Sequence, residues 1–449
     1  MNWQALLDPD IRKFITAKAD SGEDISALAL KKPPSPDWPY ALVLDQIKAR
    51  RKAALKMPEW GAFSDIIYPA ATVIEQASSQ PCALYKAHLL QDMEGLIGQG
   101  QEQRRFADLT AGSGMDTITL ARIFSAGGVA IEREPQSAAI LAHNLKAMGI
   151  DGVEVLNQSA EDWLEEVLRS AATNSASNSA SNSESTHEAP PFDLVFCDPQ
   201  RREGQKRGLF RLEDCTPDIT ALLPRLRKIA RFLLLKTSPI LDIHQMIETL
   251  EGVCAVHVLE YQGECKELLA LVDLHSHNAQ NNTATAPQSV NIHAVRLDEA
   301  GRAVQAMRFT HQSEVAQSIE FSEPLRFIFE PSPAFQKAGG IKTLAADYGL
   351  YKLHPNTHLY TSERVDERAA REFPGRIFEI EALSAVNQKA LKAHLPDLRA
   401  SLTVRNFPMK TEDLRKKLSL KDGGYITVFA CEAVTLGKTL IICQKFAKN

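Results

Sequence analysis

Short apolar runs alternate with helical patterns in the middle of the chain, from residue 104 to residue 274. Five of these runs are almost continuously apolar, and most are followed by a stretch with helical periodicity. The runs are residues 105–110, 129–132, 153–156, 192–197 and 232–236. Parallel strands are covered by helices on both faces, so their sequences lack the polar alternation of half-exposed strands. This region is therefore predicted to contain five parallel strands.

The alternation ends in two apolar stretches with a very short connection between them. Residues 253–260 and 268–273 are separated only by a turn that contains Gln262 and Gly263. A connection of this length can join only antiparallel strands. The predicted fold class is α/β, with five parallel strands completed by an antiparallel hairpin.

The regions before and after this alternating segment have different patterns of apolar and polar residues. The first 100 residues favour helices, with a basic helix at 47–56 that follows a proline-rich turn at 33–39. After residue 290 a small α+β region begins, and residues 376–449 are predicted to form a separate module within it. The strands and helices predicted there are residues 290–297, 303–310, 325–330, 376–380, 385–394, 402–405, 411–418, 425–430 and 439–444.

Two polar stretches interrupt these patterns. Residues 170–190 consist mainly of Ser, Ala, Asn and Thr, and a milder polar stretch covers residues 275–289. Segments with so little apolar surface to bury cannot offset the entropy of ordering. We expect residues 170–190 to be a flexible insertion, and neither stretch to take part in chemistry.

The composition narrows the class of protein. A chain of 449 residues, 44% of them hydrophobic, is long enough for two or three domains. No apolar run approaches the roughly 18 residues of a membrane span, and the N-terminus lacks the basic residues of a signal peptide. The seven scattered cysteines include no CxxC pair, which argues against a metal site and a disulfide framework. We expect a cytoplasmic protein with reduced thiols, no metal and no membrane association.

A glycine-rich turn follows the first predicted strand. Its sequence from Asp108 to Asp116 is Asp-Leu-Thr-Ala-Gly-Ser-Gly-Met-Asp, and Glu132 ends the next strand. Glycine lets the backbone approach a ligand closely, and an acid at the end of the second strand can bind the two hydroxyls of a ribose. A dinucleotide enzyme would have a third glycine where this chain has Thr117. The alternative is a glycine turn with a structural role only.

This arrangement resembles the class I S-adenosylmethionine-dependent methyltransferases over residues 104–274. The resemblance implies a Rossmann-like sheet of seven strands whose last strand is antiparallel, and it implies S-adenosylmethionine as the cofactor. In that family the glycine loop lies beside the methionine part of the cofactor, the second-strand acid holds the ribose, and a residue after the third strand contacts adenine. The cofactor-binding residues expected here are Asp108, Ala111, Gly112, Gly114, Asp116, Glu132, Ser159, Ala160, Gln76 and Ser78.

Gln76 and Ser78 belong to a segment that opens the helix before the first strand. In families that resemble this one, including RNA guanine-N2 methyltransferases and trimethylguanosine synthase, a segment at this position closes over the cofactor. From the residues alone, Ser78 and Ser79 before a helix are equally typical of an N-cap. Both interpretations stay open.

A second motif, Asp198-Pro199-Gln200-Arg201-Arg202, follows the fourth predicted strand. It resembles the Asp/Asn-Pro-Pro-aromatic motif of methyltransferases that modify exocyclic amines, with Gln200 and Arg201 in place of the second proline and the aromatic residue. A carboxylate beside the nucleophile can accept its proton, so the expected catalytic residues are Asp198 and Pro199. Arginine can stack on a base or pair with phosphate. The alternative is that the arginines hold the following loop in place.

The expected substrate-binding residues are Arg201, Arg202 and Lys236. Lys236 lies at the end of the fifth predicted strand, on the presumed active-site side, as do Lys266 and Glu267. The alternative for these strand-end charges is a buried network of ion pairs.

The C-terminal region extends the resemblance. The sequences around 330–334, 353–362, 404–408 and 414–424 resemble bacterial proteins that join a methyltransferase domain to a ferredoxin-like piece and a THUMP-like domain. THUMP domains bind RNA in several tRNA-modifying enzymes, so the resemblance implies RNA, either tRNA or rRNA, as partner. The expected domains are a helical region at 1–100, a methyltransferase domain at 101–275, a ferredoxin-like piece at 290–330 and a THUMP-like domain at 331–449.

The distribution of charge also favours an RNA substrate. Residues 200–240 hold ten basic and four acidic residues, and residues 401–449 hold nine and four, in a chain whose net charge is −5. Local basic surfaces on an otherwise acidic protein are typical of contacts with phosphate, although solvated helix faces give the same pattern.

The predicted function is that of an S-adenosylmethionine-dependent methyltransferase that acts on a base of tRNA or rRNA, with the THUMP-like domain binding the substrate. Two alternatives stay open. One is a noncatalytic RNA-binding or assembly protein with a vestigial cofactor pocket, and the other is a methyltransferase for protein or a small molecule.

Overall fold

A computed structural model of the chain describes residues 3–93, 104–125, 127–178, 190–202, 211–276 and 289–446. These residues divide into two units. Unit 1 comprises the described residues of Met1–Cys254, Glu267–Thr285 and Leu297–Ala303, and unit 2 comprises those of Ala255–Lys266, Ala286–Arg296 and Val304–Asn449.

Helices form the N-terminal part of unit 1, as the sequence predicts. They are α1 (Pro9–Asp20), α2 (Ile25–Ala29), α3 (Tyr40–Lys56), α4 (Ala71–Gln76) and α5 (Gln80–Gln91), with 3₁₀ turns at Trp3–Leu7 and Pro58–Ala62. The side chain of Asp8 caps α1 by accepting hydrogen bonds from the amides of Asp10 and Ile11. Helix α3 buries Val43 and Ile47, four residues apart on one face, in an apolar cluster.

Seven strands build the sheet of the central region in the predicted manner. They are β1 (Phe106–Asp108), β2 (Gly128–Ile131), β3 (Val153–Leu156), β4 (Phe192–Cys197), β7 (Ala230–Thr237), β8 (Val253–Tyr261) and β9 (Glu264–Asp273). Strand β1 pairs in parallel with β2 and β4, and β4 pairs in parallel with β7. Strand β9 pairs antiparallel with β7. The predicted α/β sheet with an antiparallel last strand is thus confirmed.

The helices between these strands are α6 (Met115–Ala121), α7 (Pro135–Ala147), α8 (Ala160–Asn178), α9 (Ile219–Leu226) and α10 (Ile243–Thr249). Helix α8 differs from the prediction, because it continues through residues 170–178, which were expected to belong to a flexible insertion. The turns before it supply the hydrogen-bond ladder that an Ala-containing stretch can propagate. The rest of that insertion, residues 179–189, lies outside the described residues.

Two further strands lengthen the first sheet. Strands β10 (Asn291–Leu297) and β11 (Ala303–Thr310) give it the order β11-β10-β8-β9-β7-β4-β1-β2-β3. Strand β10 pairs in parallel with β8. These two strands were expected in the small α+β region, and their apolar pattern does not reveal which sheet they join.

Unit 2 also contains a second sheet, of seven strands. The strands are β12 (Phe327–Pro331), β13 (Tyr351–His354), β14 (Thr357–Ser362), β15 (Gly375–Ser384), β16 (Ser401–Arg405), β17 (Ile426–Ala433) and β18 (Gly437–Lys445). Its order is β13-β14-β12-β15-β18-β17-β16, so the predicted module after residue 375 shares its sheet with three earlier strands. The helices of this unit are α11 (His311–Ala316), α12 (Pro333–Ala338), α13 (Ile341–Tyr348), α14 (Glu367–Glu372), α15 (Gln388–His394) and α16 (Thr411–Leu418).

Other predictions can be compared with the described residues. No helix among them is both long and apolar enough to cross a membrane. None of the seven cysteines, which all lie in described segments, forms a disulfide. Within the same segments no group of three or more His, Cys, Asp and Glu side chains is arranged to hold a metal ion.

Candidate active site

A cavity of about 310 Å³ opens in unit 1 where the parallel strands end. Six of the residues singled out in the sequence line it: Gln76, Gly112, Glu132, Ser159, Ala160 and Asp198. These residues follow β1, β2, β3 and β4 or belong to α4, and the carboxyl ends of parallel strands lie at the same edge of a sheet. The sheet thus brings together Gly112 and Asp198, which lie 86 positions apart in the chain.

The glycine loop after β1 is bonded directly to the acid that follows β2. The amide of Gly112 donates a hydrogen bond of 2.8 Å to Oε2 of Glu132, and the amide of Glu134 donates one of the same length to Oε1. Gly112 has φ +51°, in the left-handed region that favours glycine. The Glu132 carboxylate is therefore held by two backbone amides, and it keeps lone pairs for hydroxyl donors in the cavity.

Gly114 and Asp108 support this loop from outside the cavity lining. Gly114 has φ +84°, which favours glycine, and a Cβ there would lie 2.3 Å from Cδ1 of Leu141, so that side chain would have to shift. Asp108 is fully buried and accepts hydrogen bonds from the Thr117 hydroxyl at 2.5 Å and the Thr110 amide at 3.0 Å. Burial raises the pKa of Asp108 to about 7, although the hydrogen bond from Thr117 acts in the opposite direction.

The residues after β3 form the opposite part of the lining. The Ser159 hydroxyl donates to Oδ2 of Asp162 at 2.7 Å and accepts from the Asp162 amide, so it caps the start of α8. Asn157 donates to the backbone carbonyls of Glu132 and Arg133. These bonds connect the loop after β3 to the loop after β2, next to Glu132.

Asp198 follows β4 and is held on two sides. Its carboxylate Oδ2 lies 2.5 Å from Nζ of Lys236, and its backbone amide donates to the Thr110 hydroxyl at 2.7 Å. The Asp198 side chain is 30% exposed, whereas that of Lys236 is 8% exposed. Burial raises the pKa of the Asp198 carboxyl, and the charge of Lys236 opposes this rise. Asp198 is thus a carboxylate of the cavity lining, and Lys236 holds it there.

The residues after Asp198 leave the cavity as a two-stranded ribbon. Strands β5 (Gln200–Arg201) and β6 (Cys215–Thr216) pair antiparallel, and the backbone of Arg202 continues this pairing with a bond to the Asp214 carbonyl. Gln200 and Thr216 line the cavity, while Pro199 is buried. Arg201 and Arg202 are exposed on the ribbon beside the cavity, and Nε of Arg202 donates to the Thr216 hydroxyl.

A buried ionic cluster lies among unit 1 residues behind the glycine loop. Nζ of Lys86 lies 2.6 Å from Oδ1 of Asp116 and 2.9 Å from Oε2 of Glu267, and it also donates to the Ser78 hydroxyl. Ser78 in turn donates to Asp116 at 2.8 Å. Ser78 and Asp116, expected to touch a cofactor, are therefore bonded to each other and do not line the cavity. Lys266 pairs with Glu264 instead of with Glu267.

The charges in this cluster stabilise one another. Burial disfavours the charge of Lys86, but the two carboxylates outweigh it and hold the pKa of Lys86 above its usual value. Burial likewise opposes the charge of Asp116, but Lys86 and Lys236 keep the pKa of its carboxyl below the usual range. Lys86 was not among the site residues expected from the sequence. Its position four residues after Cys82 and before Leu90, on the buried face of α5, is the signal that could have identified it.

Two family models match unit 2. A ferredoxin-like domain matches residues 327–368, and a THUMP domain-like family matches residues 375–445. The sequence analysis placed the ferredoxin-like piece at 290–330, so the two ranges share only residues 327–330.

Comparisons of the whole chain point to methyltransferases. Two strains of Mycobacterium tuberculosis contain an uncharacterized S-adenosylmethionine-dependent methyltransferase that is 23% identical over 381 residues, which cover 83% of this chain and 87% of the relative. A crystal structure from Porphyromonas gingivalis W83, described as a methyltransferase, is 27% identical, covers all of both chains and superposes with a TM-score of 0.78. With the domain matches, these similarities indicate an S-adenosylmethionine-dependent methyltransferase that carries ferredoxin-like and THUMP-like domains in its C-terminal part.

Proposed function

We propose that this methyltransferase acts on a base of RNA, either tRNA or rRNA, and that Asp198 accepts the proton of the methylated atom. One observation carries the proposal. The Asp198 carboxylate lies in the same cavity as Glu132 and Gly112, and the exposed Arg201 and Arg202 follow it directly on the β5–β6 ribbon. A carboxylate that can accept a proton thus lies next to two arginines that can bind a polyanion.

The cavity fits a nucleoside cofactor. Its volume of about 310 Å³ is within the range of small-molecule sites. Gly112 presents backbone without a side chain at its wall, and Glu132 offers two oxygens as acceptors for a ribose diol. Gln76, Ser159 and Ala160 line the same cavity, so we propose that they also contact the cofactor. The cofactor would supply a methyl group that is already activated on a sulfonium.

The protein's own contribution is positioning and removal of a proton. Lys236 and Thr110 hold the side chain and the backbone of Asp198, so the carboxylate is oriented before a substrate arrives. An attacking base nitrogen or oxygen gains a methyl group and loses a proton, which the Asp198 carboxylate accepts. Burial raises the pKa of this carboxyl, which makes it a better acceptor than an exposed aspartate. In this mechanism Lys236 is a positioning residue, although the sequence analysis expected it to bind substrate.

The arginines would bind the RNA. Guanidinium groups pair with phosphate through two N–H groups and stack on bases. Gln200 and Arg201 stand where the resembled motif has its second proline and its aromatic residue, so base stacking would come from the guanidinium plane of Arg201. We further propose that the THUMP-like domain at 375–445 contributes RNA binding, since nine of the residues from 401 onward are basic and four are acidic.

Methyl transfer and RNA binding can be tested separately in the full chain. Radiolabelled S-adenosylmethionine is incubated with tRNA, rRNA and a protein extract that contains no nucleic acid, and the label in each fraction is counted. Asp198→Asn should abolish labelling of RNA while RNA and cofactor still bind. Arg201→Ala with Arg202→Ala should weaken RNA binding about tenfold or more, with cofactor affinity unchanged.

The matched control is Arg122→Gln, which removes an exposed arginine that pairs with Glu59 outside the basic segment. It should leave RNA binding as in the wild type. Label that appears only in protein or in small molecules would overturn the RNA proposal. A wild type that binds no cofactor would support the noncatalytic alternative.

A further inference from the structure

Unit 2 has a cavity of its own, of about 380 Å³, which no part of the proposed reaction uses. Three arginines from three different strands line it: Arg296 on β10, Arg376 on β15 and Arg405 on β16. Two glutamates, Glu260 and Glu330, lie in the same lining. The placement of these five charges determines what the cavity can bind.

Glu330 holds two of the arginines in fixed orientations. Both Nε and Nη2 of Arg376 donate to Oε2 of Glu330, at 2.9 and 2.5 Å, and Nη2 of Arg405 donates to Oε1 at 2.8 Å. The Glu330 side chain is only 3% exposed. The carboxylate is therefore buried beneath the guanidinium groups and its acceptors are occupied.

Glu260 is buried in the same way. Its Oε2 accepts hydrogen bonds from the Ser332 hydroxyl at 2.5 Å and from the Ala334 amide at 3.1 Å. Nε of Arg296 lies 3.9 Å from the other oxygen. The Glu260 side chain is 2% exposed, whereas that of Arg296 is 46% exposed.

The surface that faces the cavity is therefore cationic. The acids lie beneath it, while Arg376 and Arg405 remain 54% and 35% exposed. Three positive charges face two negative ones, and a guanidinium has five N–H donors, of which the acids occupy only some. Nε of Arg405 is buried and has no acceptor among the described residues. The cluster has more donors than acceptors, as is typical of a site for an oxyanion.

We propose that this cavity binds the phosphate monoester group of a nucleotide or of an RNA end. The two oxygens of a carboxylate are matched by a single arginine fork, whereas a phosphate monoester offers three oxygens to three guanidiniums. The cavity is larger than a phosphate group alone, which leaves room for the group to which the phosphate is attached. The proposal does not depend on methyl transfer, because every residue in it belongs to unit 2.

Isothermal titration of the full chain tests the site. The probes are uridine monophosphate, uridine, and one oligoribonucleotide with either a 5′-phosphate or a 5′-hydroxyl. A uridine nucleotide is used because the cavity in unit 1 is expected to take an adenine nucleoside. We expect saturable binding of uridine monophosphate and none of uridine. Binding of the oligonucleotide that requires its 5′-phosphate would assign the site to an RNA end, and its absence would assign the site to a free nucleotide.

Arg296→Gln is the decisive variant, because it leaves the Glu330 bonds intact. It should weaken the binding of uridine monophosphate at least tenfold. Arg376→Lys keeps the charge near Glu330 but loses the fork, and it should weaken binding as well. The control is Arg326→Gln, which removes a 62% exposed arginine paired with Glu379 outside the cavity. Equal binding by Arg296→Gln and the wild type, or no saturable binding by the wild type at millimolar ligand, would overturn the proposal.

Discussion

Replacement of Lys86 by Met provides the sharpest test of the buried ionic cluster behind the glycine loop. The Lys86 side chain is 2% exposed, and its ammonium lies within 3 Å of Asp116 and Glu267. Methionine matches the length of the aliphatic stem but carries no charge. The two carboxylates then keep their burial and lose the cation that contacts both of them, which leaves Lys236 as the other cation that acts on them.

The expected loss follows from the cost of a broken buried ion pair. Removal of one partner leaves an uncompensated buried charge and typically costs about 3–5 kcal/mol. The geometry of the two ion pairs of Lys86 is favourable, since their N–O distances are 2.6 and 2.9 Å. We therefore expect Lys86→Met to lower the free energy of unfolding by about 3–5 kcal/mol.

Urea denaturation followed by tryptophan fluorescence measures this loss in the relevant part of the chain. All four tryptophans, Trp3, Trp38, Trp60 and Trp163, belong to unit 1, so their signal reports on the unit that contains the cluster. The control is Lys52→Met, whose lysine pairs with a largely exposed glutamate and should contribute at most about 1 kcal/mol.

Two further measurements separate charge from shape. Adding Glu267→Gln to Lys86→Met removes one uncompensated carboxylate and should restore part of the stability. The pKa of Asp116 is held below its usual value, so the stabilisation from Lys86 is present above the ordinary carboxyl pKa and is lost as the pH falls through the folded-state pKa. The difference between Lys86→Met and the wild type should therefore shrink in acid. A loss below 1 kcal/mol at neutral pH, or no rescue by Glu267→Gln, would refute the reasoning.

Three other predictions concern the loop and its acid. Glu132→Gln leaves one backbone amide facing an NH₂ group, so it should weaken the binding of S-adenosylmethionine at least tenfold by calorimetry, and binding within threefold of the wild type would contradict this. The stability of the wild type relative to Asp108→Asn should fall as the pH rises from 4 to 7, by up to about 4 kcal/mol in urea denaturation, because the folded-state pKa of Asp108 is raised; parallel pH profiles would exclude this. Gly114→Ala should cost about 2 kcal/mol or more, since a Cβ there meets Leu141 at φ +84°, and an unchanged urea midpoint would refute it.

Several features of the fold were accessible from local sequence because they depend on short-range chemistry. The five apolar runs, the turn at Gln262 and Gly263, and the glycine loop after β1 each determine their own backbone conformation. Residues 170–178 were assigned incorrectly, because a polar composition does not prevent a preceding helix from continuing. The ferredoxin-like piece was expected at 290–330, whereas the family model matches 327–368, and strands of several sheets share the same apolar pattern.

The residues of the candidate site also divide into those that could be selected from the sequence and those whose contacts could not. Gly112, Glu132 and Asp198 could be selected because each follows a strand whose carboxyl end is recognisable in the sequence. The contacts of Ser78, Asp116 and Lys236 could not be selected, because most of their partners lie 30 or 38 residues away and meet them only in the folded structure.

The sequence by itself determined the parallel strands, the antiparallel hairpin and the loop that can approach a nucleoside, since these follow from apolar periodicity and from glycine. The tertiary structure decided which charges neighbour one another. Only there does Lys236 contact Asp198, and only there do Arg296, Arg376 and Arg405 meet around one cavity. The physical reason is that burial and ion pairing depend on distances across strands, and no local pattern encodes those distances.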